Sequence, residues 1–196
     1  MEAEKTSYRP FGYLDGMEGN NHIVLLYDNS KYADLIIARY IFNGLKKGES
    51  CIFFTSDNLE KTRKRLSDEG IDVESIRIFH VERDKANRLD ALSLLRTVTE
   101  EAKKGMKPPY RFVGRTMMDT ETIEGMKMIL HVEKTGNDHF REFDCSQMCY
   151  YDISGIERSM RDEWIKELLK NHGHVIYASE PDKAVAFETD LLHEEE

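Results

Sequence analysis

Short apolar runs alternate with amphipathic stretches along most of this chain, beginning at residue 23. The apolar runs have the length and residue types of buried strands, and the stretches between them have the spacing of helices. The pattern predicts strands over residues 23–27, 51–55, 75–79, 111–115, 147–151 and 174–178. A shorter run over 184–187 predicts one more strand, at an edge of the sheet.

Helix start signals precede several of the amphipathic stretches. Ser30 can cap the helix that follows the first strand, and Asp57 with Glu60 and Ser154 with Glu157 form capping boxes. Glycine often follows the end of a helix, because it adopts the left-handed conformation there without strain. We therefore expect helices to end near the glycines at positions 70, 105, 136 and 173.

Strands separated by helices of this length indicate parallel βαβ units, because neighbouring parallel strands need a crossover connection. Right-handed crossovers place helices on both faces of the sheet. We predict an α/β fold, a three-layer sandwich with a mostly parallel sheet like that of RecA-type ATPases. The predicted organisation is a polar N-terminal arm over 1–20, the α/β domain over 21–180, and an edge strand with an acidic tail over 181–196.

The charge balance of the chain limits its partners. Its 196 residues include 28 basic and 37 acidic side chains, for a net charge of −9. This excess of acid disfavours direct binding to nucleic acid or to an anionic membrane, since both require a basic surface. The sequence shows neither an apolar run near the ~20 residues of a membrane helix nor a signal-peptide pattern at its start, so we expect a cytoplasmic protein. Its three cysteines, an odd number, are expected to be free thiols.

The turn after the first strand lies where a RecA-type ATPase binds the phosphates of its nucleotide. A phosphate loop has the pattern G-x-x-x-x-G-K-[ST], because glycine lets backbone N–H groups surround the phosphates. Here the turn reads DNSKY over residues 28–32 and contains no glycine, and Tyr32 stands where Ser or Thr would hold Mg²⁺. We therefore expect a scaffold without catalysis that acts as a sensory or ligand-binding domain.

Polar residues follow several of the predicted strands, at the edge where parallel α/β sheets bind ligands. Asp28, Arg115 and Asp152 occupy such positions. Arg115 can hold a ligand carboxylate through two parallel hydrogen bonds, or it can form an ion pair with Glu133 or Asp119. Asp152 can anchor a ligand or cap the next helix. The same mixture of charges is also typical of a solvated loop edge.

Two histidines and a cysteine are the chain's candidate metal ligands. His22 opens the first predicted strand and His172 precedes the last, so both belong at the amino edge of the sheet. Cys149 lies three residues from the carboxyl end of its strand, or ~10 Å at the rise of a strand. Because metal ligands must lie within a few ångströms of one ion, we predict no metal site and no cofactor. The alternatives are histidines bonded to backbone and a cysteine that acts as a small buried hydrophobe.

Three motifs in order resemble those of the MEDS domain, a sensory domain named for methanogens, methylotrophs and the dichloromethane regulator DcmR. The first is the apolar run from His22 to Tyr27, continued by Gly-Leu over 44–45, Gly-Glu over 48–49 and Cys51. The second is an Arg-bearing strand end over 114–117 with a Glu-bearing helix over 131–133. The third is Cys-x-Tyr-Asp over 149–152, followed by His172. The resemblance covers most of the chain, from residue 22 to 176.

The resemblance implies a degenerate relative of RecA and KaiC ATPases that senses a small hydrocarbon derivative. Members are usually fused to a histidine kinase or a helix-turn-helix regulator, and this sequence shows neither pattern. We therefore expect output in signal transduction or transcription regulation through such a partner, or through a homo-oligomer. The alternatives are a KaiC-like nucleotide-binding ATPase and a structural oligomerisation or interaction module.

The family's usual proline after the late histidine is absent here, because Gly173 follows His172. The motifs and the strand ends together predict one ligand-binding site without catalytic residues. Its predicted members are His22, Tyr27, Asp28, Arg115, Glu133, Cys149, Tyr151, Asp152 and His172.

Overall fold

A seven-stranded sheet forms the centre of the protein, whose structure is a computed structural model that describes residues 9–82, 90–115, 120–156 and 158–189. The strand order is β3-β2-β4-β5-β1-β6-β7. All neighbours pair in parallel except β6 and β7, which are antiparallel. The strands are β1 (His22–Tyr27), β2 (Ser50–Thr55), β3 (Arg77–His80), β4 (Tyr110–Gly114), β5 (Cys145–Asp152), β6 (His174–Ala178) and β7 (Val185–Glu188).

Helices cover both faces of this sheet, so the predicted three-layer, mostly parallel α/β fold is confirmed. On one face, Tyr13, Ile36 and Leu66 from three helices pack against Ile23 and Leu25 of β1. The other face carries the remaining helices. The helices of the described residues are α1 (Pro10–Gly16), α2 (Ser30–Lys46), α3 (Leu59–Asp68), α4 (Ala91–Lys103), α5 (Ile123–Asp138), α6 (Phe140–Phe143) and α7 (Arg161–Lys170).

The predicted helix caps are displaced by one residue in two places. Asn29 rather than Ser30 caps α2, and its side chain accepts a hydrogen bond from the N–H of Tyr32. Asn58 rather than Asp57 caps α3 in the same way. In both cases two residues capable of capping stand side by side, so composition alone does not choose between them.

Two predicted helix boundaries were wrong. Gly136 lies inside α5, which continues to Asp138 although a mid-helix glycine costs roughly 1 kcal/mol. The last helix, α7, begins at Arg161 instead of Ser154. The backbone N–H and the hydroxyl of Ser154 both donate to Asp152, which forms a turn there. Glu157, the partner in the predicted capping box, lies outside the described residues.

Part of the predicted N-terminal arm is a packed helix. Tyr13 and Leu14 of α1 are buried. The Tyr13 hydroxyl lies 2.6 Å from Nδ1 of His174, and Asp15 accepts two hydrogen bonds from Arg39 of α2. The first eight residues of the arm lie outside the described residues. At the other end, β7 confirms the predicted edge strand, one residue further along than predicted.

None of the helices in the described part of the chain combines the length and the hydrophobicity that crossing a bilayer requires. The three cysteines are free, as predicted, and buried. Cys145 and Cys149 lie four residues apart on the unbroken strand β5, so their Cα atoms are ~13 Å apart and out of reach of a disulfide.

Gly44 of α2 permits a close contact between this helix and the sheet. A Cβ atom at Gly44 would lie 2.5 Å from Cδ of Arg111 and 2.8 Å from Sγ of Cys51. Arg111 is buried and cannot move aside freely, because its guanidinium donates two hydrogen bonds to the carboxylate of Glu49 and stacks over the ring of Tyr40. Gly44 is therefore a packing position within a helix, although its sequence context is typical of a turn.

We expect Gly44→Ala to lower the free energy of unfolding by about 1–3 kcal/mol, because the added methyl group must displace the buried Arg111. Gly136→Ala is the matched control. Its Cβ would lie 3.7 Å from Leu95, an ordinary contact, so this variant should be neutral or up to about 1 kcal/mol more stable. Urea denaturation checks both variants, and equal stability of the two would contradict the close contact.

Candidate functional site

Four polar side chains meet in the protein interior between the sheet and α5. They are His22 of β1, Glu133 of α5, Cys149 of β5 and His172 of the segment that leads into β6. Each is at most 6% exposed. One ligand atom from each residue lies within 4.8 Å of the ligand atoms of the other three. Such a concentration of titratable groups in a core requires a physical reason, because each group loses hydration on burial.

Strand register brings these residues together. β1 lies between β5 and β6, with Val24 opposite Cys149 and Ile23 opposite His174. His22 is therefore only two residues below the level of Cys149, and alternation along the strand points His22 and Val24 to the same face. The buried face of α5 lies over that face of the sheet and carries Glu133.

The prediction that the topology separates His22, Cys149 and His172 was wrong. The prediction used the distance from Cys149 to the carboxyl end of its own strand. The relevant distance is the one across the sheet, from Cys149 on β5 to His22 on the neighbouring strand β1. β5 also begins at Cys145, two residues before the predicted start, so Cys149 is five residues into its strand. Strand order and register are needed to see this, and the sequence pattern supplies neither.

The distances within the cluster are short. Nε2 of His22 lies 3.7 Å from Sγ of Cys149 and 4.0 Å from Oε2 of Glu133. Nε2 of His172 lies 3.4 Å from the same Oε2. Among the described residues, Nε2 of His172 and Nδ1 of His22 form no hydrogen bond of ordinary geometry, and Nε2 of His172 makes its 3.4 Å polar contact with Glu133 instead.

Neighbouring groups fix the orientation of the cluster. Nδ1 of His172 lies 2.7 Å from the carbonyl oxygen of Leu168, which can only accept, so Nδ1 carries a proton and donates it. The hydroxyl of Tyr151 donates to Oε1 of Glu133. Nε2 of Gln147 donates to Sγ of Cys149 over 3.1 Å. Nε2 of His172 and Oε2 of Glu133 thereby face each other at the centre of the cluster.

Burial and mutual contact shift the pKa values of these groups. Burial, followed by the nearby His172, lowers the pKa of His22 from 6.5 to about 3. Burial alone would raise the pKa of Glu133, but its contacts with His172, His22 and Tyr151 outweigh burial and lower it from 4.5 to about 2. Burial and the Glu133 carboxylate raise the pKa of the Cys149 thiol well above its usual 9. At neutral pH the cluster thus contains a carboxylate, a neutral His22 and a protonated thiol.

A mostly apolar cavity of about 110 Å³ borders this cluster. It lies between the sheet, α4 and α5, and both Glu133 and Cys149 contribute to its wall. Arg115 lines it as well, directly after β4. The other lining residues among those described are Phe54, Val81, Leu94, Leu95, Val98, Thr99, Phe112, Gly114, Val132, Gly136, Phe143 and Gln147.

The nine predicted site residues fall into two groups. His22, Glu133, Cys149, Tyr151 and His172 converge in the cluster, and Arg115 lines the adjoining cavity. The other three, Tyr27, Asp28 and Asp152, lie at the carboxyl edge of the sheet. Tyr27 is five residues along β1 from His22, or about 16 Å at the rise of a strand.

The three residues at the carboxyl edge have local contacts. Burial raises the pKa of Tyr27 to about 12. Asp28 accepts a hydrogen bond from the Tyr177 hydroxyl over 3.2 Å. Asp152 accepts from Ser154, so it stabilises a turn and does not cap a helix. For Arg115, Nη2 lies 3.9 Å from Oδ2 of Asp57, whereas Glu133 is engaged with the cluster. Asp119, the other predicted partner of Arg115, lies outside the described residues.

Gln147 and the apolar cavity wall were not predicted from the sequence. Gln147 could have been found, because it precedes Cys149 by two residues and therefore shares its strand face. The cavity wall could not have been found, because Leu94, Leu95 and Val98 of α4 have the spacing of ordinary core residues.

Comparisons with known proteins place the chain among sensory domains. A family model described as MEDS, the MEthanogen/methylotroph, DcmR Sensory domain, matches residues 21–173. No curated protein sequence matches the chain. A KaiC-like protein from the hyperthermophilic archaeon Pyrococcus horikoshii OT3 superimposes with a TM-score of 0.55 at 18% identity, over 84% of this chain and 73% of that one. A second P. horikoshii OT3 protein gives 0.55 at 12% identity, over 86% and 87%. These similarities confirm the KaiC-like fold.

In the presence of a chelator, we expect the protein to lose stability as pH falls from about 6.5 toward 3. The unfolded chain protonates His22 near 6.5, whereas the folded chain holds it neutral down to about 3, so the unfolded state binds more protons in this window. The lowered pKa of Glu133 also reduces the stability of the folded state as the pH falls from 4.5 to about 2. Each such group contributes a slope of up to about 1.4 kcal/mol per pH unit.

His22→Gln should flatten the part of this dependence between pH 6.5 and 4.5, and urea denaturation at a series of pH values measures it. The matched control is His131→Gln, because His131 is exposed on α5. Identical slopes for the two variants would contradict the account of His22.

Proposed function

The chain belongs to the MEDS family of sensory domains, and we propose that it senses a small organic molecule held in the cavity beside Glu133 and Cys149. The observation that carries this proposal is the cavity itself. It has apolar walls, a charged residue on its lining and a buried polar cluster at its side, which is the usual composition of a small-molecule site.

The size of the cavity limits the ligand. Apolar cavities of roughly 150 Å³ accommodate benzene, so a volume of about 110 Å³ suits a molecule of only a few heavy atoms. Arg115 offers a guanidinium to a carboxylate or another anionic group, since its contact with Asp57 is long, at 3.9 Å. A short hydrocarbon derivative with one polar group fits both features.

Sensing without nucleotide chemistry is the second part of the proposal. The first free N–H groups of a helix are the usual phosphate site in ATPases of this fold. Here the Asn29 side chain already accepts from the Tyr32 N–H, and Asp28 places a carboxylate beside this helix start. The surface cleft at this position is lined by the four residues 28–31 together with Tyr177, Ser179, Glu180 and Lys183. Its two lysines are accompanied by two carboxylates, which disfavours a triphosphate.

A thermal-shift screen of short organic acids, alcohols and halocarbons tests the proposal. A ligand at 100 times its Kd should raise Tm by about 5–10 °C. Val98→Phe should abolish this shift, because the larger ring occupies the cavity. Val185→Phe is the matched control, since Val185 is exposed on the edge strand β7. ATP with Mg²⁺ should produce neither a shift nor hydrolysis.

A ligand whose shift survives Val98→Phe would reject the cavity as its site. ATP hydrolysis that Lys31→Ala abolishes would instead favour the ATPase alternative.

We further propose that the signal leaves through a partner, which is a histidine kinase, a transcription regulator or a second copy of the chain. Leu35 and Phe42 support a contact surface, because both are apolar, exposed and seven residues apart on α2. Light scattering should give a mass above 22.9 kDa, either for the chain alone or for its mixture with a kinase or regulator from a neighbouring gene. Phe42→Glu should reduce the mass of that assembly. A mass of 22.9 kDa in every mixture would contradict this part.

A further inference from the structure

We propose that His22, Glu133, Cys149 and His172 bind one divalent transition-metal ion in a tetrahedral site, with Zn²⁺ as the best match. The ligand atoms are Nε2 of each histidine, Oε2 of the carboxylate and Sγ of the thiolate. This inference goes beyond the proposed function, because it holds whether or not the cavity takes an organic ligand.

The spacing of the four atoms suits such an ion. Bonds of 2.0–2.3 Å in tetrahedral geometry place ligand atoms about 3.3–3.8 Å apart. Nε2 of His172 lies 3.4 Å from Oε2 of Glu133, and Nε2 of His22 lies 3.7 Å from Sγ of Cys149. Nε2 of His22 lies 4.0 Å from Oε2 of Glu133, and no two of the four ligand atoms are more than 4.8 Å apart. Binding therefore requires movements of about 1 Å or less, within the reach of side-chain rotation.

The charge balance favours a divalent ion. Glu133 supplies one negative charge, and Cys149 supplies a second when the ion displaces its proton to solvent. Two neutral histidines complete the set, so the occupied site has a net charge of zero. A neutral site is what a buried position requires, since an uncompensated ion in the interior costs several kcal/mol. Mixed imidazole, thiolate and carboxylate ligands are typical of zinc.

The surrounding hydrogen bonds orient the ligand atoms as metal sites do. The Leu168 carbonyl holds the proton of His172 on Nδ1 and so leaves the lone pair of Nε2 facing the centre. The Tyr151 hydroxyl donates to Oε1 of Glu133, and Oε2 is the carboxylate oxygen that lies within 4.0 Å of both histidines. Gln147 donates to Cys149, which stabilises a thiolate. Supporting contacts of this kind fix tautomer and orientation around bound metals.

The competing account is a proton in place of the metal. A protonated His172 paired with Glu133 would compensate the carboxylate without any ion. That account requires no ion between Nε2 of His22 and Sγ of Cys149, which lie 3.7 Å apart. The two accounts differ in metal content and in the state of the Cys149 sulfur, which makes them separable by experiment.

The test uses the full chain with its affinity tag removed, dialysed against Co²⁺ as a spectroscopic substitute for Zn²⁺. Elemental analysis should give about one cobalt per chain, and the absorption spectrum should show thiolate-to-cobalt charge transfer with tetrahedral d–d bands. Cys149→Ala should lose the charge-transfer band, and His172→Gln should lower the bound cobalt at least fivefold. Cys145→Ala is the matched control, because Cys145 is a buried free cysteine on the same strand. It should retain both signals.

Circular dichroism confirms that each variant is folded. Val98→Phe separates this inference from the proposed function, since it should block the cavity and still bind cobalt. Two results would overturn the site. One is a folded wild-type chain that takes up no cobalt or zinc. The other is an unchanged charge-transfer band in folded Cys149→Ala.

Discussion

The parallel pairing of β1 with β5 and β6 is the constraint on which the site depends. β1 is buried along its whole length, and its register places His22 two residues from the level of Cys149. A slip of one residue would turn His22 to the opposite face, so the register is fixed by the core on both sides. Glu133 reaches the same place because Met126 and Ile129 bury the same face of α5. The four groups are thus held by the buried centre of the sheet.

The buried polar cluster of His22, Glu133, Cys149 and His172 lies in an unusual position for this fold. In sheets of this kind ligands usually bind beyond the carboxyl ends of the strands. Here the N-terminus of α2 is capped by Asn29, and Asp28 is held by Tyr177. The buried groups lie instead toward the amino end of β1 and under α5, where they adjoin an apolar cavity. An ion at the cluster and an organic molecule in the cavity would share Glu133 and Cys149 as common wall residues, so occupation of one position would alter the other.

The positions of the strands could be predicted from the sequence, whereas the arrangement of the site residues could not. Apolar runs located each strand of the described residues to within two residues, because buried strands of a parallel sheet are continuous hydrophobic segments. The histidines and Cys149 were recognised as candidates, and their convergence was rejected. That rejection failed because strand order is a long-range property, which no local pattern contains. The close packing of Gly44 was not predicted for the same reason, since its neighbour Arg111 is 67 positions away in sequence.

Anomalous diffraction at the zinc absorption edge, from crystals grown with Zn²⁺, tests the central claim most directly. The account predicts one anomalous peak between α5 and the sheet, 2.0–2.3 Å from Nε2 of His22, Nε2 of His172, Oε2 of Glu133 and Sγ of Cys149. A structure with no peak there, in which His172 and Glu133 form a closed ion pair, would contradict it.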